Sequence, residues 1–186
     1  MSLVPQFEIG IWNAWILAIV LLLCAFIPYL VKDFIKKMGQ SQESRKSGTF
    51  LTILFFILII CSIFLPLKLG TVWFYTGLFI YLLGLVISII AIVNIASTPL
   101  GKVFEKGVYR FSRNPGNLGM IIAFIGIGIA SASWFFLLLS AILLVLTYFE
   151  VAAEERFCLE KYGEAYHDYM NKTPKWIGIP KRVKSK

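Results

Sequence analysis

Leu118–Phe149 is a run of 32 residues without one charged side chain. As a single helix it would be about 48 Å long at 1.5 Å per residue, too long for a bilayer core of about 30 Å. Splitting it at Ser131-Ala132-Ser133-Trp134 gives two short arms, a helical hairpin. Three further apolar blocks precede it: Ile11–Val31 with Pro28 near its end, Thr49–Leu69, and Trp73–Ala96. Several runs of this length cannot all be hidden in a soluble core. With 59% hydrophobic and only 15% charged residues, the chain needs a non-aqueous solvent; soluble domains carry about a quarter charged residues.

Charge decides the topology. With the last block as a hairpin there are five crossings, and segments 32–48, 97–117 and 150–186 share one side. They hold 17 of the 18 Lys and Arg, leaving only Lys68 opposite. A single crossing would strand the eight cations of the tail away from the 97–117 loop. The positive-inside rule therefore selects five spans, about 11–31, 49–69, 73–96, 118–131 and 134–149. The N-terminus is then outside and the tail 150–186 cytosolic. The expected fold is an all-α, multi-pass integral membrane protein forming one domain over 1–186. The first span lacks the basic flank of a cleaved signal and is read as retained. Gly119, Ala123, Gly126 and Ala130 recur at 4, 3 and 4, a small-residue face that lets a partner helix approach closely.

The formal charge of +8 does not signal nucleic acid, because the cations sit at the ends of apolar runs, not on a folded face with base-reading residues between them. Cys24, Cys61 and Cys158 show no pair spacing and there is one histidine, so no metal site is expected. His167 reads as a solvated helix residue. The GIG within Phe124–Gly128 lacks the strand and acidic partner of a dinucleotide fingerprint and reads as helix packing. After Phe149, Leu159, Tyr162, Tyr166 and Tyr169 recur at 3, 4 and 3. This spacing suggests one helix or two, with Gly163 as a candidate break and Pro174 as the end, lying at the interface and covering something.

Polar residues cluster at the two feet of the hairpin. GVYRFSRNPGNLG, residues 107–119, holds Arg110 and Arg113 three apart and Asn114 and Asn117 three apart. Gly107, Gly116 and Gly119 permit close backbone approach, and Pro115 suits a first helical turn. A helix N-terminus beside two Arg suits an anionic group; an ordinary headgroup-binding loop would look the same. Across the hairpin stand Glu150, Glu154 and Glu155. Either they pair with Arg110, Arg113 or Arg156, or the two feet form a pocket with Glu on one wall and Arg on the other, suited to a zwitterion. Asn94, one turn from the end of the third span, is equally a ligand contact or an interhelical bond.

The two feet together, GVYRFSRNPGNLG and EERFCLEKYGEAYHDYMNKTPKWIG, resemble the isoprenylcysteine carboxyl methyltransferase family, part of a wider group of membrane methyltransferases that includes the phospholipid N-methyltransferases. The shared pattern over residues 94–178 is Gly-x-Tyr, Arg-His-Pro-x-Tyr-x-Gly, an apolar hairpin, a Glu-Glu pair, Phe/Tyr-Gly, spaced tyrosines and a late Pro. The resemblance implies S-adenosylmethionine held at the cytosolic membrane face. Its contacts would fall on Asn94, Gly101, Lys102, Val103, Phe104, Tyr109, Asn114, Pro115, Gly116 and Asn117, with Glu154 on the opposite wall. It implies methylation of a lipid-bearing acceptor that arrives from the bilayer, foremost the carboxylate of a prenylated cysteine, with a lipid amine as the alternative. Arg110 and Arg113 are then candidates for orienting an anionic acceptor, and Glu150 for a base if the acceptor is an amine. Asn114 and Asn117 replace the family's His and Tyr, and Glu150 replaces an Arg attributed to the substrate carboxylate. A membrane reductase using a nicotinamide cofactor and a non-enzymatic membrane subunit are more distant readings. Transport is disfavoured because the span interiors hold no Lys, Arg, Asp or Glu.

Overall fold

The computed structural model describes residues 8–30 and 42–180, with backbone alone at 28, 29 and 42–47. Most of the expected loop 32–48 lies outside the described residues. The described chain is helical: α1 Trp15–Leu30, α2 Gln42–Ile63, α3 Val72–Ser97, a 3-10 turn Gly107–Arg110, α4 Pro115–Ala130, α5 Trp134–Tyr162 and α6 Glu164–Lys172. Among the described residues there is no strand. A single antiparallel bridge, Asn13 to Pro66, ties the start of α1 to the end of α2. There Ala14 N donates to Leu65 O at 2.8 Å, and the buried Asn13 amide donates to Ile63 O at 2.7 Å.

Among the described residues two helices, α3 and α5, are long and apolar enough to cross a bilayer. The apolar parts of α1 and α2 and the whole of α4 are shorter. Large exposed apolar side chains cover α1, α2, α3 and α5, whereas α4 carries none. The first arm of the hairpin is thus the enclosed helix of the bundle, with Phe124 and Ile127 fully buried. Phe124 meets the edge of Phe55 from α2 with ring centroids 5.6 Å apart and tilts against Phe136 from α5 at 6.3 Å. A helix that shows no apolar face to its surroundings needs only to match its neighbours, which is how 16 residues, about 24 Å, suffice here.

The partner for the small-residue face of α4 is α3, which brings Gly77 and Gly84 seven residues apart. A Cβ on Gly84 would sit 2.5 Å from both Ala123 N and Gly119 O, and one on Gly77 would sit 2.6 Å from Gly126 O. Backbone therefore packs on backbone, the close crossing that small residues permit. Gly126 and Gly128, the pair in the GIG sequence, pack on Tyr81 of α3 and Leu137 of α5.

Helix boundaries depart from the apolar blocks most at the second block and at the end of the hairpin, while the hairpin turn itself falls where expected. The helix of the second block begins at Gln42 and stops at Ile63. Gln, Glu, Arg and Lys are good helix formers that extend it backward, and Pro66 ends it forward. The hairpin turns at Ser131–Ser133, where Ala132 has φ +50° and Ser133 Oγ caps Phe136 N. Its second arm does not stop at Phe149. It runs on to Tyr162 and ends at Gly163, φ +55°, a conformation that glycine adopts freely. Glu150, Glu154 and Glu155 are consequently carried rigidly on the helix that leaves the apolar run.

Candidate functional site

The turn 131–133, the Asn13–Pro66 bridge and Lys68, whose N–H meets Ala130 O at 3.1 Å, occupy one pole of the bundle. Opposite lie the 98–114 loop, the start of α4, the end of α5, and α6. A cavity of about 300 Å³ opens at this second pole. Ser88, Ile92 and Ile95 of α3 form one wall, Val103, Phe104, Tyr109, Arg113 and Asn114 of the loop another, and Gly116, Asn117 and Met120 of α4 the floor. Glu154, Glu155, Phe157, Cys158 and Tyr162 of α5 face them, with Tyr166 and Tyr169 of α6 and Leu21, Cys24 and Ala25 of α1 completing the ring.

Local sequence explains the geometry. Pro115 is buried at the first helical turn of α4, so the chain enters the helix with Gly116 and Asn117 facing the cavity. Gly107 has φ +58°, and a Cβ there would collide with the Asn94 amide. That amide donates to Lys106 O at 3.2 Å. Asn94 thus bonds the loop backbone, not another helix, and holds the loop. Phe104 and Tyr109 tilt against each other at 5.7 Å, and Tyr169 Oη donates to Tyr109 O at 2.7 Å, locking loop to α6.

Of the fourteen residues assigned from sequence to cofactor or acceptor, eight line the cavity: Val103, Phe104, Tyr109, Arg113, Asn114, Gly116, Asn117 and Glu154. Six do not. Asn94 supports the loop, Gly101, Lys102 and Arg110 are exposed, and Pro115 is buried in the helix start. Glu150 is buried one turn before Glu154 and faces Gly48 of α2, where a Cβ would lie 3.2 Å from Oε1. The contributions of α1 and of Cys158 carried no sequence signal, because apolar residues facing a cavity look like apolar residues facing lipid.

The carboxylates separate into different environments. Arg113 Nε lies 3.0 Å from Glu155 Oε1, both side chains about nine-tenths buried, and its Nη1 donates to Met170 O at 3.1 Å. Lys175 Nζ approaches the other Glu155 oxygen at 3.4 Å. Among the described residues Glu154 has no such cation. Burial, and then the neighbouring charges of Glu150 and Glu155, push its carboxyl up to about 7. The Cys158 thiol is pushed up to about 11, again chiefly by burial and then by Glu154, so it is a neutral wall group.

Glu154 therefore binds its proton more tightly in the folded protein than in the unfolded chain. The stability it contributes is full below the ordinary carboxylate range and is lost as pH rises through about 7. In melts of the ligand-free protein, Glu154→Gln is expected to remove that part of the decline. An identical pH dependence in the variant would place the titrating group elsewhere.

A second cavity, about 590 Å³, adjoins the first and shares Ala25, Asn117 and Met120 with it. It runs between α1, α2, α4 and α5 and is lined by Phe26, Leu51, Thr52, Phe55, Phe56, Ile121, Leu143 and Thr147. A chamber at the basic pole, its mainly apolar wall carrying Asn114, Glu154 and Glu155, thus adjoins a second one within the bundle across Asn117 and Met120.

The sequence profile of the family described as phospholipid methyltransferase matches residues 48–165, more than half of the chain. The match takes in α3, α4, α5 and the loop between α3 and α4, which supply most of the first cavity's wall. No curated protein matches the chain.

Proposed function

This chain belongs to the phospholipid methyltransferase family, and from that premise we propose that it transfers a methyl group from S-adenosylmethionine to a lipid-bearing acceptor at the face of the membrane carrying its cations. The observation that supports this reading is a pair of adjoining cavities with mainly apolar walls, the first of which also carries the polar side chains of Asn114, Asn117 and Glu154. The donor set of the first suits the cofactor. Glu154 suits ribose hydroxyls or the ammonium of the methionine end, the Asn114 and Asn117 amides its polar groups, and Phe104 with Tyr109 an adenine ring. All five apolar helices would cross the bilayer, with the basic pole cytosolic under the positive-inside rule.

When bound, S-adenosylmethionine supplies a methyl carbon on a sulfonium, and in-line displacement at that carbon needs no metal. The protein's part is positioning, which contributes of order 7–11 kcal/mol when reactants are held in attack geometry. Asn117 and Met120, common to both cavities, stand where the two reactants would meet. Tyr109 and the Arg113–Glu155 pair fix the loop wall, and enclosure by α6 excludes water.

Charge favours an amine as the acceptor over the prenylcysteine carboxylate that the resemblance puts first. Arg113 is committed to Glu155 and Met170 O, and Arg110 is exposed outside the cavity. Arg113 is the one Lys or Arg among the residues lining the first cavity, so no cation there is left for an acceptor carboxylate, and the Glu154 carboxylate on the cofactor side repels an anionic headgroup. Methyl transfer from labelled cofactor to a phospholipid amine and to a prenylated cysteine, compared on the purified protein in lipid, tests this. Transfer to the amine at least about tenfold faster, about 1.4 kcal/mol in barrier, is expected. Transfer to the prenylcysteine alone would restore the carboxylate reading, and transfer to neither would refute both acceptors.

A further inference from the structure

The chain after α6 braces the loop that walls the first cavity and carries apolar side chains outward. Arg113 N donates to Pro174 O at 3.0 Å and Gly178 N to Phe111 O at 3.1 Å, and Asn114 Nδ2 donates to Lys175 O at 3.2 Å. These bonds stitch a strap, residues 173–179, onto the loop that forms the cavity wall. Thr173 at its root is buried, whereas Ile177 is 74% and Ile179 88% exposed. Phe111, which the Gly178 bond places beside them, is 54% exposed. Leaving large apolar side chains in water forfeits the free energy of burying them, so three together mark a contact surface.

The height of the strap identifies the contact. The Lys175 ammonium lies 5.0 Å from the ring centroid of Tyr148, one residue before the uncharged run of α5 ends at Phe149. Tyr148 and Phe149 are exposed and continue the outward apolar belt of Leu138, Leu144 and Val145. The strap is therefore level with the rim of that belt, where a bilayer passes from acyl chains to headgroups. Arg110 and Lys172 are exposed on the adjoining turn and helix. Apolar anchors bordered by cations are the composition of a segment lying in the interface of an anionic membrane.

We propose that the strap docks into the headgroup–acyl boundary of an anionic bilayer through Phe111, Ile177 and Ile179, so that the membrane surface holds closed the wall made by Arg113 and Asn114. Docking rests on the chain being membrane-embedded; its coupling to cofactor binding rests on the methyltransferase reading.

A nitroxide on Ile179→Cys tests the docking, with the protein reconstituted in vesicles of phosphatidylcholine and phosphatidylglycerol and the wild type labelled in parallel to set the background of Cys24, Cys61 and Cys158. The expected result is a probe relaxed more by membrane-dissolved oxygen than by a water-soluble nickel chelate. The reverse order overturns the proposal, and so does a probe shielded from both reagents, the signature of a protein contact. In the same vesicles, Ile177→Ser with Ile179→Ser is expected to weaken S-adenosylhomocysteine binding about fivefold while helical circular dichroism stays that of the wild type. Unchanged affinity overturns the coupling. Should the wild type bind no S-adenosylhomocysteine, the cofactor reading fails, and the nitroxide still decides the docking.

Discussion

Gly84→Leu is expected to destabilise the bundle by at least about 3 kcal/mol, enough to lower its melting temperature by several degrees. Overpacking a core usually costs about 1–3 kcal/mol because side chains can shift aside. Here the new atoms would meet main chain: a Cβ at Gly84 lies 2.5 Å from Ala123 N and Gly119 O, and 3.0 Å from Ala123 Cα. Relief would require moving α3 away from α4 and disturbing the Gly119–Ser88 and Gly126–Tyr81 approaches along the same crossing. Gly116→Ala is the control. Its Cβ would meet only Ala91 Cβ, at 3.8 Å, so it should be neutral or stabilising by up to about 1 kcal/mol from helix propensity. Thermal unfolding of the detergent-purified proteins separates the two. Wild-type melting of Gly84→Leu would contradict the α3–α4 crossing.

Arg113→Ala should be the most damaging single change near the first cavity, through the fold of the site before any chemistry. Removing one partner of a buried ion pair costs about 3–5 kcal/mol, because the other charge is left without compensation. Lys175 remains beside Glu155, which places the expected loss near about 3 kcal/mol. The guanidinium also holds Met170 O at the end of α6, and so the helix that roofs the cavity. Arg113→Lys is expected to recover only part of the loss, since an ammonium cannot serve both acceptors with the planar fork that Arg presents. Adding Glu155→Gln to Arg113→Ala should restore stability relative to Arg113→Ala alone, because it removes the stranded charge. Chemical unfolding of the single and double variants reads these differences. A double variant as unstable as the sum of its parts would mean that the pair is not coupled.

How far the chain could be read in advance varies by element. The third apolar block and α3 agree to within one residue at each end, because Thr71 caps the helix and Pro99 follows it. The hairpin turn lies at the Ser-Ala-Ser where small polar residues interrupt the longest apolar run. The meeting of the hairpin's two feet also emerges, as Arg113 with Glu155. Which carboxylate would pair did not follow from spacing. Glu154 and Glu155 are adjacent, and only the rotation of α5 decides that Glu155 turns to Arg113 while Glu154 turns to the cavity. The extension of α5 to Tyr162 was hidden by the change from apolar to amphipathic residues at Glu150, which alters the helix's surroundings without interrupting its backbone. The share of α1 in the cavity was hidden for the opposite reason: Leu21, Cys24 and Ala25 differ in no property from their lipid-facing neighbours. Arg110 and Arg113 looked equivalent by spacing, yet one is exposed and the other nine-tenths buried, because the 3-10 turn ends at Arg110 and the chain then folds under the strap.

The reading as a methyltransferase depends on a cofactor site between the 98–114 loop and α5. Calorimetric titration of the purified wild type and of Glu154→Ala with S-adenosylhomocysteine addresses that site without requiring the acceptor. The account predicts a one-to-one complex with the wild type and affinity at least about tenfold weaker, about 1.4 kcal/mol, for the variant, with both proteins retaining their helical circular dichroism. Folded wild-type protein that binds no S-adenosylhomocysteine would contradict the account, and equal binding by Glu154→Ala would contradict the placement of the site.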